Sequence, residues 1–319
     1  MILVTEWLDP EALALLNTLS WPNRYDPEAW QDPQRLAQHM AEAEGLVVRN
    51  ATQVTAALLE AAPRLKVIGR LGVGLDNIDL EACQAHRVSV VYARGANAIS
   101  VVEYVLGALL FSFRPWLTWV QETKDGFWNR SHSGRELHGK TLGVVGLGDI
   151  GSRVARAARF LGMVVEGYDP HLAPFHALIA DNTVMPQASL EDLVARADAI
   201  TLHAPLRPEN AHLLNRDTFR ALKPGAVLIN TARGGLIDEA ALLAALQESR
   251  LGPVFLDVRE QEPPAIPDPL AAFPNVYLTP HIAGLTVESH ARTTRLVLED
   301  VVRVLTGRPP RSPVRWPAH

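Results

Sequence analysis

Residues 141–170 read TLGVVGLGDIGSRVARAARFLGMVVEGYDP, and this stretch decides the fold. It opens on an apolar run, Leu142 to Val145, of the kind that forms a strand buried on both faces. Gly146, Gly148 and Gly151 follow in the spacing G-x-G-x-x-G, with Asp149 and Ile150 between them. Val154, Ala155, Ala158 and Leu161 then share one face of a helical pattern that Gly162 closes. A second apolar run, Met163 to Val165, ends at Tyr168-Asp169. Strand, glycine turn, helix, strand, and an acid about 20 residues past the glycines make a complete unit for binding a dinucleotide. A glycine-rich turn that bound nothing would leave Asp169 unexplained.

The 319 residues exceed the usual size of one domain, so two are expected. Hydrophobic content of 48% and charged content of 20% are those of a soluble globular protein with a large core. A net charge of −5 argues against a general nucleic-acid binder, which needs a basic face. The single cysteine, Cys83, cannot form an internal disulfide, which points to a reducing, cytoplasmic setting. It reads as a buried structural thiol rather than a nucleophile. The start, MILVTEWLDP, lacks the basic opening and long apolar core of a signal peptide and reads as a first strand. The longest apolar run, near residues 105–113, is far short of a membrane span. Neither a nucleic-acid partner, a membrane partner nor a metal site is expected.

Strand and helix alternate along the rest of the chain. Strands are predicted over residues 2–4, 46–48, 65–69 and 88–92, and helices over 10–19, 55–61 and 80–86. Arg49-Asn50 ends the second of these strands, and the glycine-bearing loop from Arg70 to Asp76 follows the third. Gly95-Ala96-Asn97 interrupts the pattern before a long helix predicted over 100–125. Beyond the central unit, helices at 190–195, 216–221 and 239–247 alternate with strands at 199–202, 227–229, 254–256 and 276–278. The last helix, 287–306, carries Val297, Val301 and Val304 or Leu305 on a face suited to return to the first domain. Such alternation specifies parallel α/β sheets.

Loops at the C-terminal ends of strands line the binding crevice of open parallel sheets. Four such ends carry unusual residues: His203-Ala204-Pro205, Asn230-Thr231-Ala232-Arg233-Gly234-Gly235, Asp257 with Glu262, and Thr279-Pro280-His281. Arg233 follows an apolar strand and precedes two glycines, and a guanidinium placed there can grip a carboxylate through two bonds. A histidine such as His281 is by itself more often a satisfied structural residue. Glu262 shifts the balance, because a carboxylate on one ring nitrogen fixes the tautomer and favours the charged imidazole. Together they have the makings of a general acid near neutral pH.

These motifs resemble those of the D-isomer-specific 2-hydroxyacid dehydrogenases. GKTLGVVGLGDIG, HAPL, LKPGAVLINTARGGLIDEAAL, LDV followed by EPP, and TPHIAGLT match in order and spacing. LKVIGRLGVGLDNID and GANAISVVEYV are similar to the family's substrate-loop and hinge-helix segments. The resemblance implies an oxidoreductase acting on CH–OH, which moves a hydride between NAD(H) and a small 2-keto or 2-hydroxy acid. It implies Arg233, Glu262 and His281 as the catalytic trio. His281 would protonate the keto oxygen, Glu262 would orient His281, and Arg233 would hold the carboxylate with the backbone amides of Val73 and Gly74. Asp257 would bond the nicotinamide carboxamide. His203, Ala204, Pro205, Thr231, Ala232, Ala283 and Gly284 would line the cofactor beside Gly146, Gly148, Asp149, Ile150 and Gly151. Glu262 separates the chain from the related formate dehydrogenases, whose active site lacks this acid. Asp169 can accept from both ribose hydroxyls and repels a 2′-phosphate, and Pro170 and His171 rather than an arginine follow it, so NAD is expected.

The resemblance further implies a Rossmann NAD-binding domain over 99–285 and a discontinuous flavodoxin-like substrate domain over 1–98 completed by 286–319, with the cleft between them. Family members are usually dimers through the cofactor domain. Trp116, Trp119, Phe127 and Trp128 suit such a homodimer interface and equally suit core or hinge packing. Arg49 and Asn50, with Arg70, suit a second anionic group, as in phosphoglycerate. Glyoxylate and hydroxypyruvate need only the carboxylate site. The tail after Thr306 is too short for the regulatory domain of larger phosphoglycerate dehydrogenases, so feedback by serine through that domain is not expected. Gly252-Pro253-Val254-Phe255 departs from the small residues usual before LDV, a change in packing. The competing class is an NAD(H)-binding, corepressor-like sensor without turnover, against which the retained trio argues.

Overall fold

Short apolar runs flanked by polar helix caps build two parallel sheets in a computed structural model that describes residues 1–173 and 176–314. The chain divides into two units, Met1–Asn97 with Leu285–His319, and Ala98–Gly284. In the first, strands β1 (Ile2–Val4), β2 (Asn23–Tyr25), β3 (Gly45–Val48), β4 (Val67–Arg70) and β5 (Ser89–Tyr92) pair in the order β2-β1-β3-β4-β5. That order is flavodoxin-like. Helices α1 (Pro10–Asn17), α2 (Pro33–Met40), α3 (Ala56–Glu60) and α4 (Leu80–Ala85) connect the strands. Asp9, Asp32, Thr55 and Asp79 cap them, each side chain accepting from an amide of the first turn that has no partner within the helix.

The second unit holds seven parallel strands: β6 (Thr141–Val145), β7 (Val164–Tyr168), β8 (Met185–Pro186), β9 (Ala199–Leu202), β10 (Ala226–Asn230), β11 (Leu251–Leu256) and β12 (Val276–Leu278). Their order is β12-β11-β10-β9-β6-β7-β8, so the chain leaves β6 in one direction and returns on its other side at β9. The place where the order reverses is where such sheets bind ligands. Helices α5 (Ala98–Ser112), α6 (Trp116–Lys124), α7 (Asp149–Phe160), α8 (Ala177–Ala180), α9 (Leu190–Arg196), α10 (Arg216–Ala221) and α11 (Glu239–Gln247) accompany them. Alternate strand residues feed two cores. Val227 and Ile229 meet α5 and α7 through Val105, Leu109 and Val154, whereas Leu228 meets α9 to α11 through Leu193, Phe219 and Leu242.

The final helix, α12 (Val287–Leu305), belongs to the first unit, where Val297, Leu298, Val301 and Leu305 share a core with Ile2, Val4, Val47 and Val67. Within it, buried Asp300 accepts from the amides of Arg311 and Ser312, which lie beyond its end. This pins the tail so that Val314 N–H reaches Val90 O and Tyr92 N–H reaches Ser312 O.

The structure corrects several sequence expectations. The helix expected over 100–125 is two helices, bent by 61° at Phe113–Pro115, because Pro115 lacks the amide and clashes with the preceding turn. No single helix among the described residues is long and apolar enough to cross a membrane. The first strand residues of 65–69 shift to Val67–Arg70, and the strand before Asp257 starts earlier, at Leu251. β2, α8 and β8 are too short to show an apolar period, whereas α2 carries a legible start at Asp32-Pro33 and a buried face of Leu36 and Met40. The departure at Phe255 is filled by aromatic packing: its ring stacks on Tyr277 at 4.6 Å, and Phe111 meets both rings edge-on. Trp116, Phe127 and Trp128 are exposed, Trp128 at 83%, so they are not core residues.

Cys83 is buried, and burial with Asp79 nearby pushes its thiol up to about 11. The native protein should therefore be inert to an aromatic disulfide reagent at pH 8 and release one thiol equivalent after unfolding. Native labelling at the rate of a free thiol would contradict the packing.

Candidate functional site

Every strand end that the sequence singled out in the second unit lies on one edge of its sheet. The glycine loop follows β6, His203 follows the adjacent β9, Arg233 follows β10, Asp257 and Glu262 follow β11, and His281 follows β12. Because all seven strands are parallel, their C-terminal ends share that edge. The site is therefore assembled by strand order, not by nearness in sequence.

The glycine loop has the shape of a phosphate cradle. Gly146 sits at φ +86°, and a Cβ there would lie 2.6 Å from Ala204 N, so the turn can press against the β9 loop only as glycine. Gly148 caps α7 without a side-chain bond, and a Cβ on it would meet no atom within 4 Å. The first-turn amides of α7 have no intrahelical partner and face the end where a pyrophosphate is favoured. Asp149 turns its carboxylate away to Arg153, at 2.8 Å. Asp169 reaches back over the loop, with Oδ2 accepting from Leu147 N–H (2.8 Å) and Oδ1 from His171 N–H (2.9 Å). Across the switch point Thr201 Oγ1 and His203 Nε2 are 2.9 Å apart, and burial pushes the His203 ring down to about 3, which leaves it neutral. Thr231 Oγ1 is buried without a partner. A bare helix N-terminus, an open glycine, an acid beside the loop and an orphaned hydroxyl fit a dinucleotide.

His281 and Glu262 touch. His281 Nδ1 lies 2.9 Å from Glu262 Oε2, and Glu262 Oε1 accepts from Arg259 N–H at 3.0 Å. Since the carboxylate accepts, Nδ1 carries the proton and Nε2 is the other ring nitrogen's face to the surroundings. The His281 side chain is 50% exposed, so water screens this pair. Its backbone occupies the left-handed region at φ +57°, a conformation that costs about 1 kcal/mol and is kept only where the surroundings impose it. Two acceptors do so: His281 N–H donates to Asp257 O (2.7 Å) and Thr279 O (3.0 Å).

Asp257 is the post around which this turn folds. Its buried carboxylate accepts from Thr279 Oγ1 and Ile282 N–H on Oδ1 and from Ala283 N–H on Oδ2. One lone pair on Oδ2 stays beyond these three bonds. Thr279 gives its own proton to Asp257, so the Tyr104 hydroxyl, 2.7 Å away, donates to Thr279. Arg233 is half-buried, with Nη1 donating to Ala232 O at 2.6 Å. Fully buried Asn230 ties the turn before it by accepting from Ala232 N–H and donating to Arg233 O. Gly284 ends the unit. Pro205 stands exposed after Ala204.

The remaining candidates belong to the first unit. Arg49 and Asn50 follow β3, and Val73 and Gly74 follow β4. The amides of Arg49, Asn50, Ala51 and Thr52 all donate to the buried carboxylate of Glu6. An anion could not use those amides, so only the side chains of Arg49 and Asn50 are available to one. The Arg49 guanidinium lies over the Trp7 ring, 5.6 Å from its centre. Glu6 and Tyr104 escaped the sequence reading, which named Asn230 and Thr279 as strand-end residues without the bonds that they make.

Comparison with known proteins agrees with this geometry. Residues 106–283 match the model of the D-isomer specific 2-hydroxyacid dehydrogenase NAD binding domain. The chain is 39% identical over 317 residues to D-3-phosphoglycerate dehydrogenase of Methanocaldococcus jannaschii, covering 99% of this chain and 59% of that enzyme's length. It is 40% identical over 308 residues to (S)-sulfolactate dehydrogenase of Chromohalobacter salexigens, covering 96% of this chain and 99% of that one. The D-lactate dehydrogenase of Aquifex aeolicus, solved with NAD and lactic acid, superimposes with a TM-score of 0.84 at 30% identity, over 96% of each chain. The chain therefore belongs to the D-isomer specific 2-hydroxyacid dehydrogenases, with NAD as the cofactor of the domain built on its glycine loop.

Proposed function

We propose that this protein interconverts a small 2-hydroxy acid and its 2-keto acid with NAD(H). The observation that carries the reading is the Glu262–His281 pair, 2.9 Å apart, on the same sheet edge as the dinucleotide loop. When bound, NAD supplies or receives the hydride at the substrate's C2. In reduction His281 gives the proton of Nε2 to the keto oxygen as that oxygen gains charge, and in oxidation it takes the proton back. Glu262 holds the Nδ1–H tautomer and stabilises the imidazolium form that donates. Arg233 binds the carboxylate and polarises the carbonyl beside it. The remaining lone pair of Asp257 Oδ2 suits the nicotinamide carboxamide. His203, Ala204, Pro205, Thr231, Ala232, Ala283 and Gly284 would line the cofactor.

The substrate is read from the relatives and from Arg49. The names of two relatives specify 3-phosphoglycerate and (S)-sulfolactate, each of which bears a second anion beside its carboxylate. Arg49 and Asn50 are the groups assigned to such an anion, which favours these over glyoxylate and hydroxypyruvate. The exposed Trp116, Leu117, Val120, Phe127 and Trp128 form the apolar surface assigned to a homodimer contact. The one cysteine, buried and free, supports the reading of a reducing, cytoplasmic setting.

Four measurements test this reading. Hydroxypyruvate, glyoxylate, 3-phosphohydroxypyruvate and sulfopyruvate, each offered with NADH, should include at least one efficient substrate; NADH binding without any turnover would overturn the dehydrogenase. His281→Ala should lower kcat roughly 1,000-fold with NADH affinity within about twofold, and a large loss of affinity would remove its assigned role. NADH should exceed NADPH in kcat/KM by at least about tenfold, since the Asp169 carboxylate faces the extra phosphate; equal efficiencies would refute that role. Sedimentation should give about twice the 34.9 kDa chain mass, whereas a monomer would rule out the dimer contact.

A further inference from the structure

We propose that Arg259 is a positioning residue, whose buried guanidinium fixes the backbone that holds Glu262 against His281. The assignment rests on the reading of that pair given above. Arg259 lies two residues past Asp257, and its side chain is only 9% exposed. On one side it meets Glu239 through two parallel bonds, Nε to Oε1 and Nη2 to Oε2, both at 2.9 Å. On the other it meets Asp268, through Nη1 to Oδ2 and through Nη2 to Oδ1 at 3.1 Å. A planar fork bonded on both sides has no rotational freedom left.

Both carboxylates are themselves anchored. Glu239 opens α11 and also accepts from Glu260 N–H at 2.8 Å, and Asp268 caps the 3-10 turn Pro269–Ala272. The 259–260 peptide is therefore tied to a helix start and a turn through one side chain. The amide of Arg259 itself, on the preceding peptide, is the group that matters for the site. Arg259 N–H donates to Glu262 Oε1, while Glu262 Oε2 meets His281, so the side chain fixes one end of the bond pair that aims the imidazole. The 259–260 peptide backs the loop of Arg233. A Cβ on Gly234 would lie 1.9 Å from the Arg259 carbonyl carbon, so the residue after Arg233 rests directly on it. One cation thus braces both the proton donor's partner and the loop of the carboxylate clamp.

Loss of the guanidinium leaves Glu239 and Asp268 facing each other without compensation, and the 259–262 segment is expected to move by enough to break a hydrogen bond. The experiment compares Arg259→Leu and Arg259→Lys with the wild type. Readouts are kcat and KM for 3-phosphohydroxypyruvate or sulfopyruvate, whichever the wild type reduces faster, with NADH; NADH affinity; melting temperature; and the tautomer of His281 by nitrogen-15 NMR at alkaline pH without cofactor. Lys keeps the charge but cannot bridge two carboxylates with paired bonds. The expectation for Leu is a kcat roughly 30-fold lower with KM within about threefold, unchanged NADH affinity, and His281 no longer held as the Nδ1–H form. Lys should recover most of the tautomer and all but about fivefold of kcat. If Leu keeps the Nδ1–H tautomer, or if kcat, NADH affinity and melting temperature fall together in both variants, Arg259 is a structural prop and the proposal fails. The tautomer is read without turnover, so it separates this outcome from a failure of His281→Ala to lose activity, which would strike the proposed function alone.

Discussion

A carboxylate that accepts backbone amides at the end of a parallel strand is the interaction on which this protein depends. A strand buried on both faces delivers its loop to the sheet edge with several N–H groups that no ladder satisfies. Asp257, Glu6 and Asp169 each supply the missing acceptor. An unpaired buried amide costs about 1–3 kcal/mol, so each of these acids holds a loop in one shape. Asp257 carries this furthest. By binding Thr279, Ile282 and Ala283 it forces the turn in which His281 adopts its left-handed backbone.

Those loops gain meaning from strand order. Parallel strands place all their C-terminal ends on one edge, and reversal at β6 and β9 opens that edge between the glycine loop and His203. The loops of β10, β11 and β12 continue the same row. Arg233, Glu262 and His281 are therefore neighbours by topology although almost 50 residues separate the first from the last. The aromatic set Phe111, Phe255 and Tyr277 packs β11 and β12 against α5, which supports the last two members of the row from behind.

Much of this was open to reading in advance. The β6-α7-β7 unit, the apolar strands and the capped helices follow from patterns that a short stretch of chain contains in full. What escaped reading has a common cause. β2 and β8 lie at sheet edges and bury little, so they need no apolar run, and the helix over 100–125 was read through Pro115 because its apolar face continues on both sides. Glu6 carries no local signal, since the four amides that bond to it come from residues more than 40 positions away.

The sequence by itself determined the α/β class and the dinucleotide loop with its acid, and it marked Arg233, Glu262 and His281 as strand-end candidates, because glycine spacing and strand-end chemistry are local. Only the tertiary structure decided which donors each carboxylate receives. It made the candidate Asp257 a structural post, filled the Arg49–Thr52 amides with Glu6, and set Arg259 between Glu239 and Asp268. A hydrogen bond forms within about 3 Å, and distances of that order between distant residues exist only once the strands have paired and the cores have closed.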